Sequence, residues 1–106
     1  MKPYLQALTL GFLILSASVG AEEPSIVIQN YIFSPEKLTV VAGTKVTWVN
    51  HDQVPHTVVE KDQQFHSSAL DTDDRYSLTF TTPGVYPYFC TLHPTMTGTI
   101  TVAPEK

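Results

Sequence analysis

The chain has 106 residues, 42% hydrophobic and 15% charged, with 10 acidic against 6 basic side chains and a formal net charge of -4. That length suits one domain rather than two, and the acidic balance excludes nucleic acid as a partner. The lone cysteine, Cys90, excludes an internal disulfide, so a small exported domain would need another staple, and a bound metal is the one that remains.

The chain begins like an export leader. Lys2 supplies a positive start, an apolar run follows from Leu5 to Leu15, and small residues (SASVGA) close it. This pattern predicts a signal peptide over residues 1–21, cleaved after Ala21, and a mature domain over 22–106. The apolar run is shorter than the roughly 20 residues that span a bilayer, so no membrane insertion is expected after cleavage. No cysteine stands at the cleavage site to carry a lipid.

Beyond the leader, short β-branched and aromatic runs alternate with turn residues. SIVIQNYIF (25–33) reads as one strand, LTVV (38–41) as the next, and Ala42-Gly43 as the turn into TKVTWVN (44–50), with Trp48 in the core. HTVVE (56–60) is a further strand. KDQQFHSSALDTDDR (61–75) is a long polar connection in which Ser67–Leu70 fits a short helical turn. YSLTF (76–80) leads to Thr82-Pro83-Gly84, with Pro and Gly suited to a type II turn. VYPYFC (85–90) and TGTITV (97–102) complete the set. Pro87 cannot donate to a ladder, so one side of its strand should lie at an edge or against a loop. About seven short strands predict an all-β fold, a Greek-key antiparallel β-sandwich.

Within YFCTLHPTM (88–96), Cys90, His93 and Met96 follow at three-residue intervals. Taken alone, Cys90 could be a buried inert thiol or a dimer cross-link. The neighbouring donors shift the reading to a metal ligand. Tyr86, Tyr88 and Cys90 share one face of their strand, which aims the sulfur at the core end of the sandwich. A fourth donor should come from another strand. His56 in QVPHTVV stands at a strand mouth, whereas His51 and His66 sit in polar loops and read as solvated. Two imidazoles, a thiolate and a thioether are an unusual zinc set. They match a trigonal His₂Cys copper site with a weak axial methionine.

CTLHPTM resembles the ligand loop of the cupredoxins, and its two-residue gap between His93 and Met96 is similar to amicyanin rather than to plastocyanin or pseudoazurin. VPHTVV and TPGVYPYFC resemble the strands that lead to the first histidine and the cysteine. The resemblance implies one type 1 (blue) copper ion held by His56, Cys90, His93 and Met96. It also implies a monomeric electron carrier of the periplasm, serving redox partners such as a c-type cytochrome or a periplasmic dehydrogenase. Three positions depart from the pattern. Thr57 stands where many relatives have an asparagine that ties the ligand loops, Leu92 where short-loop relatives often have proline, and Thr95 where the rim is usually aromatic. Without proline there, the Leu92 N–H is free to reach the Cys90 sulfur. Val54, Pro55, Leu92 and Pro94 would form an apolar docking rim, while Asp71, Asp73 and Asp74 read as a solvated loop or a steering patch. The alternative function is copper binding or delivery without electron transfer. An enzyme is not expected, since no orienting group or oxyanion site accompanies a Cys–His pair and four protein ligands leave a metal no open position.

Overall fold

A computed structural model describes residues 23–105. The predicted leader lies outside the described residues. No helix among those described is long and apolar enough to cross a membrane. Eight strands follow in order: β1 (Ser25–Gln29), β2 (Ile32–Ser34), β3 (Lys37–Val41), β4 (Thr44–Asn50), β5 (Val59–Glu60), β6 (Arg75–Phe80), β7 (Gly84–Phe89) and β8 (Thr97–Ala103). They form two four-stranded sheets, ordered β2-β1-β4-β6 and β3-β8-β7-β5. The two sheets pack face to face as an all-β sandwich.

The alternation read in the sequence sets what each sheet buries. Ile26, Ile28, Phe33, Val46, Trp48 and Phe80 come from the first sheet, and Val40, Tyr88, Ile100 and Val102 from the second. Trp48 is fully buried, with Tyr88 edge-on at 5.4 Å and Tyr76 at 5.7 Å between ring centroids. Such aromatic pairs add to the stabilisation from buried area. Between β3 and β4 the chain turns at Gly43, whose φ of +98° suits a residue without Cβ.

Several expectations are corrected. The run 25–33 is a hairpin rather than one strand: Asn30 and Tyr31 both adopt left-handed backbone, at φ 56° and 62°, and fold Phe33 back opposite Ile28. Two positive-φ residues are the geometry of a tight two-residue hairpin turn, and asparagine tolerates it. Each sheet also contains a parallel pair, β1 with β4 and β3 with β8, so the sandwich is mixed rather than wholly antiparallel. Residues 67–70 are not helical. The segment instead runs extended beside 56–60, bridging Val59 to His66 and His56 to Leu70. Gly84 opens β7 rather than closing a turn, because β6 and β7 belong to different sheets and the chain must cross between them. Pro87 behaves as expected: its carbonyl accepts from Lys61 N–H at 2.9 Å, so that side of β7 faces the turn beyond the short edge strand β5.

Two tests of the core follow from Tyr88. It pairs with Gly98 across β7 and β8, and a Cβ on Gly98 would lie 2.4 Å from the Tyr88 ring. Gly98→Ala should therefore lower the urea midpoint, by about 1–3 kcal/mol of stability, as overpacking does. The Tyr88 hydroxyl and the Trp48 indole nitrogen are buried without a hydrogen-bond partner among the described residues. Burial pushes the phenol up to about 12 from 10.0, the nearby indole offsets this in part, and Glu36 adds to it. The unfolded chain thus loses this proton first as pH rises. The resulting stability is full below the unfolded value of 10.0 and declines toward about 12, by about 3 kcal/mol in total. Tyr88→Phe should remove that alkaline decline, measured as urea midpoints against pH for the two proteins.

Candidate metal centre

The centre forms at one end of the sandwich, where two chain segments meet. The first is His56–Val58, which carries few ladder bonds and is fixed by its neighbours. His56 exchanges both backbone bonds with Leu70, at 3.1 and 2.7 Å. Val58 N–H donates to Ser67 Oγ at 2.8 Å, and Ser67 N–H returns to the Val58 carbonyl at 2.9 Å. The preceding loop is shaped by Asn50, fully buried at the end of β4. Its amide donates to the carbonyls of Val54 and Leu70 and accepts from Asp52 N–H.

The second segment is the loop from Cys90 to Met96. It is a chain of turns: His93 N–H donates to the Cys90 carbonyl at 3.3 Å, Met96 N–H to the His93 carbonyl at 2.9 Å, and Cys90 N–H to the Met96 carbonyl at 3.2 Å. These bonds repeat the three-residue spacing of the donor residues. They bring Cys90 and Met96 side by side in the core, both buried, with His93 between them and half-buried.

Three donor atoms converge. Cys90 Sγ lies 3.7 Å from His56 Nδ1 and 3.7 Å from His93 Nδ1, and the two nitrogens are 3.2 Å apart. A triangle with those edges has a common centre about 2 Å from each atom, close to metal–imidazole bonds and slightly short of a metal–thiolate bond. The tautomer suits this use. His56 Nε2 lies 2.7 Å from Asp52 Oδ2, so Nε2 carries the proton and Nδ1 presents its lone pair to the centre. Once the thiol and the imidazoles give up any proton held between these atoms, three lone pairs aim at one point that a cation can occupy. The cluster can therefore coordinate a metal, and His₂Cys suits a borderline-soft one.

Thr57 clasps the two segments. Its N–H points at Cys90 Sγ at 3.4 Å, and its hydroxyl accepts from Thr91 N–H at 2.8 Å while meeting Thr91 Oγ1 at 2.8 Å. A threonine pair thus ties the two segments directly. The expectation for Leu92 is corrected here. The amide that reaches the sulfur is that of Thr57, at 3.4 Å, while Leu92, in the turn beyond Cys90, is exposed.

Of the predicted ligands, the structure brings His56, Cys90 and His93 together, and Met96 is buried in the same core cluster as Cys90. His51 and His66 are exposed and lie outside the cluster. Sequence reasoning missed Asp52 and Tyr31. Asp52 takes Asn30 N–H at 2.6 Å and Tyr31 N–H at 3.0 Å as well as the His56 ring. Burial raises its carboxyl, but the Tyr31 and Asn30 amides and His56 together hold it below the usual value of 3.8. The turn so fixed sets the Tyr31 ring edge-on to both ligand imidazoles, 5.3 Å from His56 and 4.7 Å from His93. The aromatic residue missing at Thr95 is thus supplied from another element. The asparagine in QNYI was a turn signal for this hairpin, but nothing local said where the turn would dock.

Comparisons with known proteins agree with this geometry. The Cupredoxin-like domain family matches residues 5–102. An amicyanin from Paracoccus versutus is 33% identical over 94 residues, 84% of this chain and 71% of that protein. A plastocyanin from Scenedesmus fuscus is 36% identical over 101 residues, 83% of this chain and 98% of that protein. Among solved structures, a purple cupredoxin from Nitrosopumilus maritimus superposes with a TM-score of 0.73 at 38% identity, covering 76% of this chain and all of that one.

The threonine clasp can be tested without metal. Thr57→Val removes the acceptor for Thr91 N–H and should cost about 1 kcal/mol in metal-free protein. Thr57→Ser, which keeps the hydroxyl, should recover most of the urea midpoint.

Proposed function

This chain belongs to the cupredoxin-like domain family, and from that premise we propose that it carries single electrons in the periplasm on one type 1 copper ion. The observation that carries the reading is the convergence of His56 Nδ1, Cys90 Sγ and His93 Nδ1 on one point, beside the buried Met96. In this reading His56, Cys90, His93 and Met96 would hold the copper ion, and two imidazoles, a thiolate and a thioether would let it supply a one-electron couple between Cu(I) and Cu(II).

The protein's own part is to keep the donors where they are in both states. His56 is fully buried and tied at both ends of its ring segment. Cys90 directly follows β7 and is seated in the core, with its sulfur against the Thr57 amide. A site that does not rearrange between oxidation states costs little reorganisation when an electron passes. His93, the half-exposed ligand, gives the shortest route to the surface. Leu92, Pro94, Pro55 and the half-exposed Tyr31 surround that end with apolar groups suited to brief docking. A c-type cytochrome or a periplasmic dehydrogenase fits as partner. The Asp71–Asp74 run braces the site loop through Asp73 N–H to the Asn50 carbonyl at 2.6 Å and closes on itself through Asp71 N–H to the Asp74 carboxylate at 2.9 Å, which leaves the exposed Asp71 and Asp73 carboxylates to steer a basic partner. Export by a leader cleaved after Ala21 completes the reading, and no catalytic role is assigned.

Adding one equivalent of Cu(II) should give an intense thiolate-to-copper visible band that bleaches and returns on reduction and reoxidation. Cys90→Ser should abolish that band, while His51→Ala and His66→Ala should keep it. A loaded protein without the band would refute the copper assignment. A band without rapid electron self-exchange, together with ready transfer of Cu(I) to a chelator, would favour copper delivery instead.

A further inference from the structure

The Asp52 carboxylate is more than the histidine partner that geometry requires. A neutral carbonyl would hold Nε2–H of His56 equally well. Here the acceptor is an ionisable side chain only 10% exposed, brought to the ring by a loop whose shape Asn50 fixes. Its oxygens take two amide N–H groups from the β1–β2 turn besides the imidazole, at 2.6, 3.0 and 2.7 Å. Thr72 Oγ1 holds the Asp52 backbone carbonyl at 2.6 Å and does not touch the carboxylate. The described structure places no cation of Lys or Arg on this carboxylate: the one basic side chain it meets is the His56 imidazole.

We propose that Asp52 is a positioning residue that, through His56, sets the balance between the two oxidation states of the metal. The proposal rests on the copper reading above. Two effects act in the same direction. A carboxylate bonded to Nε2–H makes the imidazole a stronger donor at Nδ1. Its negative charge, close to the centre and poorly screened, also favours the more positive ion. Both stabilise Cu(II) more than Cu(I), so the native carboxylate holds the reduction potential down. The amide bonds from Asn30 and Tyr31 keep the carboxylate in place for this purpose.

The test uses the full copper-loaded chain and the variants Asp52→Asn, Asp52→Glu and Thr72→Val. Asp52→Asn keeps the shape and one acceptor oxygen but loses the charge. Its Cu(II) affinity, from chelator competition, should fall by about 10- to 100-fold, with a smaller loss for Cu(I). At a fixed potential the ratio of reduced to oxidised protein should rise about tenfold, equal to roughly 59 mV for a one-electron couple. Asp52→Glu, with the charge kept, should remain near the native midpoint, and Thr72→Val, which loosens only the loop backbone, should also remain there. An Asp52→Asn midpoint equal to the native one, with the visible band intact, would overturn the proposal. So would an equal shift in Thr72→Val, which would make the effect one of loop geometry. If Asp52→Asn does not fold, a Glu variant that folds with a midpoint shifted tenfold in ratio would overturn it as well. Proton NMR of the reduced native protein gives an independent check: a slowly exchanging, hydrogen-bonded His56 Nε2–H is expected, and a freely exchanging one overturns the proposal. Failure of the native chain to show the copper band is a separate outcome that removes the carrier reading, whereas a metal-free His56 Nε2–H in slow exchange would leave the Asp52 contact standing.

Discussion

Everything at the metal end depends on the clasp between Thr57 and the Cys90–Thr91 step. Two segments more than thirty residues apart in sequence are joined there by one amide-to-sulfur contact and a shared pair of hydroxyls. Without it, His56 and Cys90 would sit on separate pieces of backbone, each free to move away from the other. The clasp is short because both partners are threonines. A longer side chain at either position would hold the segments farther apart or fold back on itself.

The clasp works only because each segment is anchored behind it. Cys90 continues β7, whose Tyr88 fills the space over Gly98 and packs edge-on against Trp48 and Phe33. The strand cannot shift along its axis without driving that ring into its neighbours, since close-packed interiors offer no slack. His56 has no comparable strand, and β5 contains only two residues. Its anchoring comes instead from Leu70, Ser67 and Asn50, groups that convert an irregular loop into a fixed one by satisfying its backbone polar atoms. Buried polar groups with every bond made are rigid, and a rigid loop is what a ligand needs. The β1–β2 turn adds a third anchored element, pinned by Asp52 and presenting Tyr31 to both imidazoles.

Much of this was legible beforehand, and its limits have physical causes. Period-two alternation marks which side chains enter the core, so Trp48, Tyr88 and Cys90 were placed correctly from spacing alone. The hairpin at Asn30-Tyr31 was missed because its flanking runs are both apolar, and an alternating pattern continues through a tight turn almost unbroken. The extended path of residues 61–75 was missed for the opposite reason. Its residues are polar and carry no period, so their structure comes from bonds made to His56, Val58 and Glu60 rather than from their own pattern. Parallel pairing of β1 with β4 and β3 with β8 leaves no local trace either, since pairing direction is decided by connections elsewhere in the chain.

The sequence by itself determined the donor chemistry. A solitary cysteine, with His93 and Met96 following at three-residue intervals and His56 on a separate segment, offers donors that suit a borderline-soft metal, because ligand softness belongs to residue types. It also determined the sandwich, through short β-branched runs that cannot bury themselves any other way. Tertiary structure alone decided what surrounds the donors. Whether Leu92 or Thr57 offers its amide to the sulfur, whether Asp52 meets the His56 ring, and whether Tyr31 faces the imidazoles all depend on angles between elements distant in sequence. Those angles are set by the packing of two whole sheets, and no short stretch of chain contains them.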